Sequence, residues 1–182
     1  TALDGATFTV STVDEKPYRS SPKPPFITST LQQEGGRKLG LSSAQVMRSA
    51  QSLYERGYIT YMRTDSVTLS EEALTAARTQ VRELYGDRYL PDGPRTYRGK
   101  VKNAQEAHEA IRPAGERWRT PDQLATELRG PDLRLYDLIW KRTLASQMND
   151  AVGKTVSVRI EAPVASAPAA DLAVAGTTTT HW

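Results

Sequence analysis

The chain has 182 residues, enough for one domain of ordinary size and part of a second. It contains no cysteine, which excludes disulfides, thiol catalysis and cysteine zinc sites within it. Its 24 basic and 21 acidic side chains leave a net charge of +3 and a pI near 9.2, a mild basic bias. No apolar run of about 18 residues marks a membrane span, and Thr1-Ala2-Leu3-Asp4-Gly5 lacks the basic head and apolar core of a signal peptide.

Residues 7–13 alternate apolar and hydroxylated side chains and predict a strand with one buried face. Lys16-Pro17 and the run Ser20-Ser21-Pro22-Lys23-Pro24-Pro25 predict a stiff linker and a domain boundary. Thr28 or Ser29 can cap a helix reaching about Leu39, with Gly40 at its end. Ser42 and Gln45 have capping-box spacing. The helix they open carries Val46, Met47, Ala50, Leu53 and Tyr54 at helical spacing and stops at Gly57. A strand is predicted over 58–62. Thr68 or Ser70 caps the next helix, with Glu71 and Glu72 in its first turn. Its buried stripe runs Ala73, Leu74, Ala77, Val81, Leu84 and Tyr85, and Gly86 closes it.

Residues 87–102 read as a loop and 104–111 as a short helix, with Pro113 biasing Arg112 out of it. Thr120-Pro121-Asp122-Gln123 is a helix start. The last helix covers about 132–148, with Leu135, Tyr136, Ile139, Trp140, Leu144 and Met148 on one side; Tyr136 and Trp140 read as core. Residues 155–160 alternate again, 162–170 are rich in alanine and proline, and 172–178 can supply a partner strand. The fold class is mainly α with flanking β (α+β). The simplest architecture is a helical domain at 28–150 inserted into a β domain made of 1–27 and 151–182.

Tyr61 and Arg63 are two apart, so in a strand they share a face, with Ile59 behind them. A phenol beside a guanidinium suits attack on phosphorus: one is the nucleophile, the other grips phosphate oxygens. Phenols ionise near pH ~10, so such a nucleophile needs positive charge nearby. The plain alternative is a buried tyrosine at a strand end with a solvated arginine. Arg95, Arg98, Lys100 and Lys102, with Tyr97 between them and no acid, form either a phosphate-facing patch or a solvated loop. His108 is the sole histidine before His181. It shares a face with Arg112 if the segment is helical, and Asp65 is a candidate to orient it. Glu109 and Arg112 either face a ligand or form a structural ion pair.

Three longer strings contain these residues: Pro25-Phe26-Ile27-Thr28-Ser29-Thr30-Leu31-Gln32-Gln33-Glu34, Gly57-Tyr58-Ile59-Thr60-Tyr61-Met62-Arg63-Thr64-Asp65-Ser66, and Asn103-Ala104-Gln105-Glu106-Ala107-His108-Glu109-Ala110-Ile111-Arg112-Pro113. In order and spacing they resemble the type IA DNA topoisomerases, and Met62 resembles the bacterial topoisomerase I branch. The resemblance implies that Tyr61, Arg63 and His108 are catalytic. The phenol would form a 5′-phosphotyrosine link while one DNA strand is cut and resealed to relax negative supercoils. It implies DNA binding by Asp65, Ser66, Arg95, Arg98, Lys100, Lys102, Glu109 and Arg112. It implies a winged-helix-like catalytic domain within a partial β-rich arch. Partners would be single-stranded and negatively supercoiled DNA and the rest of the same polypeptide, with a cytoplasmic location at the bacterial nucleoid.

The family holds Mg2+ on a toprim domain whose acidic cluster nothing here resembles, so this chain is expected to supply no metal ligand and to be inactive alone in relaxation. The missing initial methionine and the strand-like end support a piece of a longer polypeptide. No Gly-x-x-x-x-Gly-Lys-Ser/Thr loop is present, consistent with chemistry that needs no ATP. Two rivals stand. A tyrosine recombinase places its tyrosine last, the reverse of the order here. A non-catalytic DNA-binding module would use helices 30–39 and 43–56 as a helix-turn-helix.

Overall fold

In a computed structural model, residues 6–97, 109–162 and 178–179 are described. The chain parts into two compact units, Pro22–Asn149 and Thr1–Ser21 with Asp150–Trp182. The expected boundary at 27/28 moves to 21/22 because Phe26 is fully buried and bridged to Ile111, inside the helical unit.

In that unit, helix α1 spans Thr28–Leu39, α2 Ser43–Glu55, α3 Glu71–Tyr85, α4 Pro121–Leu124 and α5 Gly130–Ser146. Local chemistry sets most ends. The Ser42 hydroxyl accepts the Gln45 amide at 3.3 Å, and the Gln45 side chain accepts the Ser42 amide at 2.8 Å. Thr120 and Gln123 repeat that box at α4, and Ser70 caps α3 through the Ala73 amide. Gly40 ends α1 in the left-handed region at φ 68°. The start of α1 differs from expectation: neither Thr28 nor Ser29 caps it. The Ile27 amide bonds to the Thr30 hydroxyl instead, and the Thr28 hydroxyl is used elsewhere. The α3 stripe also ends early, since Leu84 and Tyr85 are exposed.

Helix α5 is the centre of the core. It packs against α1, α2, α3 and α4, burying Leu135, Tyr136, Ile139, Trp140 and Leu144. Two polar ties cross the core without orphaned groups: Trp140 Nε1 donates to Gln80, and the Gln80 amide donates to the Trp118 carbonyl, each at 2.7 Å. Helices α1 and α2 touch closely where a Cβ on Gly35 would lie 2.6 Å from a Val46 methyl.

One predicted element is absent: residues 58–62 form no strand, and Ile59 makes a single isolated bridge to Pro113. Most of the helix expected over 104–111 lies outside the described residues; its described end, 109–111, is not helical, because the Ala110 and Ile111 amides bond sideways to Thr68 and Phe26.

In the second unit, β1 (Thr9–Ser20) pairs antiparallel with β2 (Ala151–Glu161), from Thr9 opposite Glu161 to Ser20 opposite Ala151. A register shift falls between Val10 and Thr12. The short β3 (Thr178–Thr179) adds on the far side of β2. Strand β1 thus extends through Lys16-Pro17, which had read as linker; an edge strand tolerates a proline. Its predicted buried face is open: Phe8, Val10, Val13 and Val152 are each about 60% exposed. Among the described residues of this unit, no second layer covers that face. Periodicity marks which side of a strand is apolar and not what lies against it.

Candidate active site

The three strings quoted above converge. Segment 110–113 sits between the other two. On one side the Ile111 amide donates to the Phe26 carbonyl at 2.8 Å. On the other, the Thr60 amide donates to Arg112 at 2.9 Å, the Arg112 amide to the Thr60 hydroxyl at 3.0 Å, and that hydroxyl to Ala110 at 2.8 Å. The Ala114 amide closes the pairing on Tyr58 at 3.0 Å.

Thr28 fixes the other half of the 58–66 loop. Its amide donates to the Thr64 carbonyl and its hydroxyl accepts the Thr64 amide, both at 2.9 Å. The same hydroxyl lies 2.8 Å from the Met62 carbonyl and 3.0 Å from that of Thr64. The loop therefore has no ladder of its own yet is pinned on both flanks.

Ile59 and Met62 are the loop's apolar anchors, 2% and 1% exposed. They are three residues apart, which breaks the alternation expected of a strand. Ile59 is inside while Tyr61 is 40% exposed, and Arg63 is exposed too. The Tyr61 ring meets Tyr54 edge-to-face, with centroids 5.2 Å apart. Arg63 enters no ion pair among the described residues. Asp65 is exposed. The Ser66 amide bonds to the Thr64 hydroxyl and the Ser66 hydroxyl accepts the Thr68 amide, so Ser66 helps turn the loop.

Other predicted DNA-binding residues serve the fold. Arg112 is 7% exposed. Its guanidinium clamps Glu109 and donates to the Pro113 and Gly115 carbonyls. Glu109 also accepts the Ser70 amide at 2.8 Å. Burial would raise the Glu109 carboxyl, but the Ser70 bond and the Arg112 charge outweigh it and hold it below the ordinary glutamate value. Arg95 donates from Nε to the Met148 carbonyl at 2.7 Å, and its amide bonds to Gln147. The hydroxyl of Tyr97, the aromatic of the basic run, lies 2.9 Å from the Ser146 carbonyl and 3.1 Å from that of Pro22, and donates to one of them. Charge alone did not reveal these inward roles. His108, Arg98, Lys100 and Lys102 lie outside the described residues. Among the described residues no three His, Cys, Asp or Glu side chains converge as metal ligands, and no helix is long and apolar enough to cross a membrane.

The model of the family described as DNA topoisomerase matches residues 1–179. The chain belongs to this bacterial type IA family. It is 63% identical over 159 residues to DNA topoisomerase 1 of Mycobacterium leprae, covering 87% of this chain and 17% of the relative. It is 57% identical over 179 residues to DNA topoisomerase 1 of Streptomyces coelicolor, covering 98% of this chain and 19% of the relative. The solved full-length topoisomerase I of Thermotoga maritima matches with a TM-score of 0.66 and 36% identity, over 84% of this chain and 25% of that one. The chain thus spans less than a fifth of the length of these curated topoisomerases.

Sequence reading missed three residues of this candidate site. Thr28 had read as a helix cap, Thr60 as an ordinary strand residue, and Tyr54 as part of a buried stripe although it is 40% exposed against Tyr61. The available signal for Thr28 and Thr60 was their place inside the family strings.

Proposed function

We propose that this chain is the tyrosine-bearing segment of a longer type IA DNA topoisomerase. The observation that supports it is an outward Tyr61 and an exposed Arg63, in no ion pair among the described residues, on a loop whose backbone is fixed by Thr28 and Thr60. In this reading the Tyr61 oxygen attacks a backbone phosphorus of single-stranded DNA. The bond from phosphorus to the 3′ oxygen breaks, and the 3′-hydroxyl leaves with a proton. The 5′-phosphate stays esterified to Tyr61. Resealing is the reverse, and an ester replaces an ester, so no ATP is required. Arg63 grips the phosphate oxygens as charge builds on them. His108 assists binding or proton handling, and Asp65 lines the approach.

Mg2+ would supply charge neutralisation near the phosphates from carboxylates of a toprim domain. The described residues offer no fitting ligand set, so no step is assigned to it here. The same proposal reads the helical unit as winged-helix-like, the hairpin as part of an arch, negatively supercoiled DNA as substrate, and the bacterial nucleoid as its place. The segment alone should not relax DNA.

The test is Tyr61→Phe in the full-length enzyme containing this segment. Covalent attachment to a single-stranded oligonucleotide, read on a denaturing gel, should vanish, while the oligonucleotide Kd stays within about twofold. A covalent adduct with phenylalanine at this position overturns the assignment. A non-catalytic module built on α1 and α2 predicts no change in any of these readouts.

A further inference from the structure

Thr28 is the first residue of α1, where the amide has no partner within the helix. Its amide is satisfied by the Thr64 carbonyl, in the loop that carries Tyr61. Its hydroxyl accepts the Thr64 amide. A hydroxyl has one hydrogen to donate. The Thr64 carbonyl already takes the Thr28 amide, so the Met62 carbonyl, at 2.8 Å, is the natural acceptor. One side chain therefore holds the peptide groups on both sides of Arg63. Met62 adds a buried anchor just before that arginine, and Thr64 a buried one just after it. The backbone of Arg63 is fixed while its side chain is left exposed.

We propose that Thr28 is a positioning residue for cleavage: its hydroxyl sets the placement of Arg63, and through the adjoining peptide that of Tyr61, before substrate arrives. This rests on the topoisomerase reading above. Misplacing a reacting group by about 1 Å can cost on the order of 100-fold in rate, so a pre-set loop is worth much to the chemical step and little to binding.

The test uses the full-length enzyme and single-turnover formation of the covalent adduct with a single-stranded oligonucleotide. Thr28→Val keeps the shape and removes the hydroxyl. It should slow adduct formation at least about tenfold with the oligonucleotide Kd within about twofold, and Thr28→Ser should restore the rate to within about threefold of the parent. In a cycle with Arg63→Ala, the two losses should be strongly less than multiplicative, because both act on one grip. Wild-type rate in Thr28→Val, equal losses in the valine and serine variants, or multiplicative losses in the cycle each overturn the proposal.

Should Thr28→Val fail to fold, amide exchange in the unaltered protein still decides. The Thr64 amide, bonded to Thr28, should exchange at least about tenfold more slowly than the Arg63 amide; equal rates overturn the clamp. Tyr61→Phe run in parallel separates the two failures. If it still forms the adduct, the topoisomerase reading falls; if it does not and Thr28→Val is fully active, only the positioning role falls.

Discussion

The loop at 58–66 and the segment at 109–115 lie side by side, tied by hydrogen bonds through Thr60, Arg112 and Ala114. They use their polar groups in opposite ways. The loop fixes its backbone through other residues' hydroxyls and leaves Tyr61, Arg63 and Asp65 at the surface. The segment spends its side chains inward, with Arg112 saturated by Glu109, Pro113 and Gly115. In the sequence the loop reads as ligand-facing, while Glu109 and Arg112 read equally as ligand-facing or as the structural ion pair that they form. A family string holds two kinds of charged residue, those that hold the loop and those that the loop holds out.

That contrast breaks most sharply on a pair of arginine substitutions. Arg112→Leu removes one partner of a nearly buried ion pair and orphans two carbonyls; stability should fall by about 3 kcal/mol, read as a lower urea midpoint. Arg63→Leu should change stability by no more than about 0.5 kcal/mol. In the full-length enzyme, however, it should lower covalent adduct formation roughly 100-fold. An unmoved urea midpoint for Arg112→Leu would erase the division.

Acid titration gives a second, smaller contrast. The Glu109 carboxyl is held low by Ser70 and Arg112 against its burial. Glu34 is held at about 2, first by its hydrogen bonds from Arg37 and then by the charges of Arg37, Lys38 and Arg142, against the opposing effect of burial. Both folded values lie below the ordinary 4.5, so the unfolded chain binds more protons as pH falls. The stabilisation is present above pH ~4.5 and is lost on descending towards the folded values. Glu34 should cost about 1 kcal/mol between pH 5 and 2 after allowance for solvent screening, and Glu109 acts in the same direction. Glu34→Gln should flatten that slope in thermal melts at constant ionic strength, and an unchanged slope would remove Glu34 from the account.

What the sequence made legible is what local chemistry decides. The box at Ser42 with Gln45, the helix start at Thr120-Pro121, the Ser70 cap and the Gly40 stop each form within a few residues of chain. The core face of α5 was equally plain, since Leu135, Ile139 and Leu144 follow one helical side. The rest depends on partners far along the chain. The 58–62 strand was wrong because Thr28 and residues 110–114, not an adjacent strand, satisfy its backbone. Arg112 and Arg95 carry the same charge as Arg63, and only their neighbours in space turn them inward. The family strings marked out the candidate site; they did not sort which of its charged residues turn inward and which stay exposed.

Arg95 gives the mildest and most selective test. Its backbone is locked to Gln147 from both sides, with the amide at 3.1 Å and the carbonyl at 3.0 Å, and its Nε holds the Met148 carbonyl just past α5. Arg95→Ala keeps the backbone bonds and loses the guanidinium contact, so stability should drop by about 1 kcal/mol. The salt dependence of single-stranded DNA binding should not move. Each phosphate contact on a single strand contributes about 0.7 to the slope of log affinity against log salt. Arg63→Ala should lower the slope by about that amount, and Arg95→Ala by none. A slope that falls equally for both would place Arg95 on the DNA, and would mean that its hold on Met148 is released whenever substrate binds.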